Sequence, residues 1–297
     1  MLRQNMVLKK YILAVLIMSL TLIACKVTKQ ESNAGLFNKD NLTPWSIVGF
    51  DAKERTPKER LDMLERLGYK QYAYGHRPEH IPTMKEEWEL AKEKGIAIKA
   101  VWLYINLRKD KPNHLNPDRE VVFKNLKRVD LKTQIWVGFE PTYFESLTEA
   151  ESLQEAIAMV SYLSKRAKSL GCKIALYNHG GWFGRPENQL KIIKALPGEE
   201  IGIVFNFHHA HHDLEDYSEN IKKLMPYLWA VSLNGMKAEG PKIITIGKGN
   251  LEKDMIQRLL DLNYKGLFNI LGHVKGGDPE VILKKNYEGL MHLFKGE

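Results

Sequence analysis

From Trp45 onward the chain repeats one rhythm: a short apolar run, a turn, then an amphipathic stretch. Four runs fall at 45–51 (WSIVGFD), 69–75 (YKQYAYG), 96–105 (IAIKAVWLYI) and 133–140 (TQIWVGFE). Four more follow at 173–180 (KIALYNHG), 201–210 (IGIVFNFHHA), 228–235 (LWAVSLNG) and 266–273 (GLFNILGH). Most are nearly continuous in apolar, β-branched and aromatic residues, the pattern of strands covered on both faces in a parallel sheet. The intervening stretches, such as TPKERLDMLERLGY and LEKDMIQRLLDLNY, have helical periodicity. Thr56 before Pro57 and Asp278 before Pro279 are helix-start signals, and Gly68 and Gly171 are helix stops. Eight strand–helix units in series predict a single (β/α)8 TIM barrel over 45–297. A doubly wound sheet is the alternative, but eight regular units with no extra domain favour closure.

The first 44 residues follow other rules. MLRQNMVLKK is basic, and YILAVLIMSLTLIA is a 14-residue apolar stretch. That is short of the ~20 residues a spanning helix needs and is typical of a secretory leader. It ends in LIAC, which resembles a bacterial lipobox. The expectation is a signal peptide at 1–24, a lipidated Cys25, and a polar tether at 25–44 holding an exported, periplasm-facing barrel to a membrane. A plain signal peptide or a short anchor helix is the other reading. With Cys25 assigned, Cys172 has no disulfide partner and reads as a small core residue. Formal charge is +8, of which Arg3, Lys9 and Lys10 lie in the leader, so 8 less 3 leaves +5 on the processed chain. No run of five like charges and no basic–aromatic stripe occurs, so nucleic acid is not an expected partner.

In a barrel of this kind, reactive residues stand where strands end and the following loops begin. Six of the ten histidines (76, 179, 208, 209, 211 and 273) lie at or just past predicted strand ends. Asn178, Asn206, Asn234 and Glu140 share that rim. The stretch FNFHHAHHD (205–213) concentrates four of the imidazoles. Alternation along a strand puts Asn206 and His208 on one face and Phe205, Phe207 and His209 on the other, but loop geometry breaks this parity past the strand end. Either His208 or His209 can therefore look inward. His179, His209, His211 and Glu140 together would make an N/O site for a divalent ion: Mn, Zn, Co, Ni or Mg. Equally, each histidine can be a hydrogen-bonding rim residue for a polar ligand. Glu140 is the carboxylate best placed as a general base, with a salt bridge to a nearby Lys or Arg as its plainer role. Trp182 and Phe183 suit the apolar face of a sugar, as does Trp102, although all three also suit packing. Arg185 and Lys237 can meet an anion, but no glycine-rich phosphate cradle occurs.

The segments WVGFEP, ALYNHGGWFGRPENQL, IGIVFNFHHAHHD, YLWAVSLNGM, PKIITIGKGNLEKD and LNYKGLFNILGH are similar to the sugar phosphate isomerase/epimerase family, the xylose-isomerase-like TIM barrels. The resemblance spans about residues 45–295. It implies a small carbohydrate substrate and, in isomerases of the family, a Glu–Asp–His–Glu set from strands five to eight that holds a divalent ion. The two glutamates of that set also move a proton between adjacent sugar carbons. This chain departs from the set at each strand. Asn178 and His179 stand on the fifth, Asn206-Phe207-His208-His209 on the sixth, Ser232 and Asn234 on the seventh, and His273 after the eighth. The expected activity is metal-assisted proton abstraction beside the carbonyl of a sugar or keto-sugar, with Glu140, His208 and His209 catalytic. Trp182, Asn178, Asn206, Asn234, His273, Trp102 and His76 are the expected substrate contacts. A lyase or hydratase acting on 3-keto-glycosides is the close variant, and a catalytically inactive carbohydrate-binding barrel is the alternative from another class.

Overall fold

The computed structural model describes residues 35–106, 110–212 and 214–294. The leader, Cys25 and the first part of the expected tether lie outside the described residues. Eight strands alternate with eight helices: β1 (Leu42–Trp45), α1 (Pro57–Leu67), β2 (Gln71–Tyr74), α2 (Met84–Glu93), β3 (Ala97–Ile105), α3 (Pro117–Arg128), β4 (Gln134–Phe139) and α4 (Glu149–Ser169). There follow β5 (Lys173–Tyr177), α5 (Pro186–Ala195), β6 (Ile201–Asn206), α6 (Tyr217–Leu224), β7 (Leu228–Leu233), α7 (Glu252–Asp261), β8 (Leu267–Leu271) and α8 (Pro279–Phe294). All paired strands are parallel, in the order β1-β8-β7-β6-β5-β4-β3-β2. Across the β1–β2 seam, Gln71 donates a side-chain hydrogen bond to Thr43 Oγ1 at 3.0 Å. The result is a nearly closed (β/α)8 barrel.

Local chemistry explains the punctuation. Thr56 and Glu59 form a capping box at the start of α1, and Gly68 ends it in the left-handed conformation (φ 77°). Thr148 and Glu151 repeat the capping box at α4. Each box satisfies backbone N–H groups that the first helical turn leaves without partners.

Side chains divide by strand parity into two layers. Trp45, Ala73, Ala100, Trp102, Trp136, Ala175, Tyr177, Val204, Ala230 and Leu271 form one cluster inside the barrel. Their neighbours in sequence, among them Tyr74, Leu103, Val137, Leu176, Phe205 and Val231, pack outward with the helices. Tryptophans inside so narrow a space need small residues opposite. A Cβ on Gly138 would stand 2.2 Å from Trp102, and one on Gly202 would stand 2.0 Å from Trp229. Gly138 makes room for Trp102, which lines the cavity, and Gly202 makes room for Trp229 at the N-terminal end of the strands.

The first strand differs from expectation. It runs Leu42–Trp45 rather than 45–51, and Phe37 is fully buried, so the expected tether is part of the barrel by that point. Ser46 adopts φ 59°, which breaks the strand, while Ile47 and Val48 stay buried in the turn beyond it. Apolarity marks burial here and not strand conformation. The other seven strands fall within the predicted runs. Cys172 is buried, as a core thiol should be.

Candidate functional site

A cavity of about 340 Å³ opens at the C-terminal ends of the strands. That is near the lower end for small-molecule sites. Trp45, Trp102 and Tyr177 line it from the interior layer, and His76, His179, His208, His209 and His273 line it from the strand ends and loops above.

A short backbone device brings His208 and His209 in together. Past β6 the chain enters a 3-10 turn, Phe207–His209, whose first amide is followed by His208 N–H donating to Asn206 Oδ1 at 3.2 Å. Strand parity ends at Asn206, so consecutive imidazoles share the cavity and lie 3.6 Å apart between ring centroids. From this pair an arc extends both ways. His179 is 4.7 Å from His209, and His273 is 6.1 Å from His208. Beyond His179 stands Tyr104 (5.3 Å), whose hydroxyl donates to Glu140 Oε2 at 2.7 Å. Beyond His273 comes Phe50, stacked at 3.5 Å, with the Arg77 guanidinium 4.6 Å from its ring centroid. The arc thus runs from a carboxylate, through four imidazoles, to a guanidinium.

Burial keeps these imidazoles neutral. Desolvation first, then the charges of Arg119 and Arg77, push His76 down to about 4. Desolvation, with His273, His179 and Lys242 adding to it, takes His208 down to about 3. His209 is lowered further by burial and by His208 beside it. His273 falls to about 4 through burial and Arg77. His179 is also lowered by burial, but it alone in the arc has a carboxylate, Glu140, pulling it back towards protonation. Burial raises Tyr104, and its bond to Glu140 raises it again. Buried Nδ1 atoms of His76, His179 and His208 have no hydrogen-bond partner among the described residues. Buried polar atoms without partners are rare and mark places where a ligand group can dock.

The expected site residues separate into two groups. His76, Trp102, His179, His208, His209 and His273 line the cavity. The remainder have other partners. Asn178 accepts from the Asn206 amide (2.7 Å) and donates to the Asn206 carbonyl (3.1 Å), a two-bond clasp between β5 and β6. Asn206 is fully buried and donates to the Tyr177 hydroxyl, which also accepts from Trp45 Nε1 at 2.9 Å. Asn234 is fully buried and donates to the Gly235 and Lys242 carbonyls. Asn178 and Asn206 tie the ends of β5 and β6 together, Asn234 ties the loop after β7, and none of the three lines the cavity. Trp182 donates to Glu149 and packs on Phe144 at 5.0 Å, and Phe183 is buried against Phe139, so the expected aromatic lip is packing. Arg185 and Lys237 are exposed and away from the cavity. Sequence reasoning missed Arg77, Arg119 and Phe50, all lining residues. The phrase GHRP after the second apolar run placed a basic residue at a strand end and was the available signal for Arg77.

The expected ion set is not assembled. Among the described residues no group of three or more His, Cys, Asp or Glu side chains is arranged to hold a metal ion. Glu140 is engaged by Tyr104 and lies outside the cavity lining, and His211 points Nδ1 at the His208 carbonyl (3.2 Å). That leaves His179 and His209, two neutral donors in the field of Arg77 and Lys242. Such a donor set does not fit a divalent cation of the carboxylate-bound kind.

No protein-family model matches the chain, and no curated protein matches it. Solved structures share its fold. One is 3-keto-D-glucoside 4-epimerase, YcjR, from E. coli: 16% identity, 86% of this chain and 98% of that one, TM-score 0.59. A second is the probable 3-DHS dehydratase AsbF from Bacillus anthracis: 13% identity, 84% and 98% covered, TM-score 0.61. A third is the IolI protein with a bound zinc atom: 14% identity, 86% and 98% covered, TM-score 0.66. At these identities the likeness is one of fold: a (β/α)8 barrel that an epimerase, a probable dehydratase and a zinc-containing protein also have.

Proposed function

We propose that this chain is a carbohydrate-active enzyme that moves a proton at the carbon beside a carbonyl of a sugar or keto-sugar. The observation that carries this reading is the arc of half-buried imidazoles facing one cavity, anchored at one end by Tyr104–Glu140. A neutral imidazole whose pKa is strongly depressed is a weak base but a good hydrogen-bond donor to a developing oxyanion. His208 and His209 suit that role, holding the carbonyl oxygen as it gains charge. His179 suits the role of base, because Glu140 stabilises the imidazolium formed when the ring takes the proton. Glu140, expected as the base itself, then acts through His179 and Tyr104. Return of the proton gives epimerisation or isomerisation, and departure of a hydroxyl from the next carbon gives dehydration. The epimerase and dehydratase among the structural neighbours catalyse reactions of these two kinds, which supports the class and leaves both outcomes within it. No step requires a metal ion.

The test is turnover of keto-sugars in D2O. Deuterium should enter at the carbon beside the carbonyl, and His179→Gln should abolish entry while leaving the far-UV spectrum unchanged. Turnover without deuterium at that carbon would sink the reading, and sugar binding with no turnover of any keto-sugar would leave carbohydrate binding without catalysis as the role. The leader and Cys25 complete the proposal: a lipid on Cys25 would hold the barrel at a membrane on the exported side. Its support is the LIAC sequence alone.

A further inference from the structure

We infer that the substrate carries an oxyanion, a carboxylate or a phosphoryl group, and that Arg77 holds it. The sugar part of this statement rests on the function proposed above; the anion part rests on Arg77 and its surroundings. Arg77 follows His76 directly after β2, lines the cavity and is partly buried. Its stem lies across Gly49, where a Cβ would come within 2.9 Å of Arg77 Cγ. Its guanidinium sits over Phe50, and Nη1 donates to the His76 carbonyl at 3.2 Å.

Arg77 lacks the partner other buried arginines have. Arg55 is paired with Asp51 and Asp278, both at 2.6 Å, and Arg60 with Glu87 at 2.5 Å. Arg119, also a lining residue, donates Nε to the Tyr104 carbonyl at 2.7 Å and lies 3.7 Å from Asp110 and 3.9 Å from Asp118. Among the described residues, no carboxylate lies within 4.0 Å of the Arg77 guanidinium. Its charge goes into the cavity instead: it is felt at His76, His179 and His273, lowering each. Burial also depresses Arg77 itself, with only the more distant Glu79 and Tyr104 acting against it. A guanidinium so placed, with donors still free, fits a planar or tetrahedral oxyanion by paired, charge-assisted hydrogen bonds. The anion would sit at the Arg77 end of the arc, which leaves the reacting carbons of a small sugar under His208, His209 and His179.

Binding followed by tryptophan fluorescence reads the site, because Trp45 and Trp102 line the cavity. The probes are D-glucose, D-glucuronate and D-glucose 6-phosphate, with the three galactose counterparts. At least one acid should bind about 10- to 100-fold more tightly than its neutral partner, as a charged hydrogen-bonded contact provides. Preference for the uronate names a carboxylate, and preference for the phosphate names a phosphoryl group. Arg77→Met should erase the preference, and Arg77→Lys should keep part of it, showing that charge and not folding is at issue. Equal binding of acid and neutral sugar, no binding of any acid at millimolar concentration, or an undiminished preference in Arg77→Met would each overturn the inference. Failure of deuterium exchange with acid preference intact would remove the proton-transfer reading alone. Exchange on neutral keto-sugars with no acid preference would remove the anion alone.

Discussion

The neutrality of His208 can be measured through stability. Its folded-state pKa of about 3 lies below the ordinary 6.5, so between those values the unfolded chain binds a proton that the folded chain refuses. Stability from this group is therefore fully present above pH 6.5 and is lost as pH falls towards 3. At 1.36 kcal/mol for each pH unit below 6.5, going from about pH 7.5 to about pH 5 costs roughly 2 kcal/mol for this one group. Against a domain stability of about 5–15 kcal/mol, that is a readable fraction. His76, lowered to about 4, and His209 act in the same direction. Glu87 acts in the other. Burial pushes it up to about 7 against the opposing pull of Arg60, so the folded chain takes a proton there as pH falls below neutrality.

Because these groups oppose one another, the whole-protein pH curve does not isolate His208, but a difference does. Urea unfolding of wild type and His208→Gln, each at about pH 7.5 and about pH 5, cancels every shared group. The acid-induced loss should be roughly 2 kcal/mol smaller in the variant, with unchanged denaturant slope. Parallel losses in the two proteins would refute the claim that His208 is desolvated and neutral, and with it the oxyanion-holding role.

Other expectations follow from the same geometry. Glu140→Gln should lower kcat by about 10-fold for each pK unit of basicity His179 loses, and move the acidic limb of the pH–rate profile downward; an unmoved profile would detach Glu140 from His179. Protein purified without a histidine tag should contain substoichiometric Mn, Zn, Co, Ni and Mg by elemental analysis, and keep its activity after chelation; one equivalent of any of them would restore the metal reading. Gly138→Ala places a methyl 2.2 Å from Trp102 and should cost about 1–3 kcal/mol by urea unfolding, with weakened sugar binding as the floor ring shifts; wild-type stability would show the interior has slack. Cys25→Ser should release the chain from the membrane fraction, and unchanged retention would remove the lipid anchor.

How much of this was legible in the sequence depended on which force decided each feature. The barrel was legible because burial on both faces writes continuous apolar runs, and seven strands lie inside those runs. β1 was misplaced because WSIV is buried without being extended throughout: a left-handed Ser46 turns the chain while Ile47 and Val48 remain in the core. The imidazole rim was legible because strand ends are where a parallel barrel presents chemistry. Roles on that rim were not legible, because they depend on which hydrogen-bond partner lies across the neighbouring strand. Asn178 and Asn206 look like ligand-binding amides by composition, yet each has its amide taken by the adjoining strand or by Tyr177.

The same consideration explains why the residue types at the four departures from the family pattern mislead when read one strand at a time. A carboxylate lost from a strand end suggests a lost base, and a histidine gained suggests a metal ligand. In space the imidazoles of strands five, six and eight form one row whose charge is set at its two ends, while Ser232 and Asn234 of the seventh are buried outside it. Glu140, reached through Tyr104, is the anionic end, and Arg77, reached through Phe50, is the cationic end. Between them, burial strips the imidazoles of charge, so the row is polar but neutral in the middle. That is poor ground for a hard divalent cation such as Mg, which favours carboxylate oxygens. It is good ground for a substrate that arrives with its own negative charge at one end and develops more at its centre. The two substitutions His179→Gln and Arg77→Met probe opposite ends of this row. If the row acts as described, the first should lower kcat with little change in KM, and the second should raise KM for an acidic sugar with little change in kcat. Interchange of those two signatures would show that the row runs the other way.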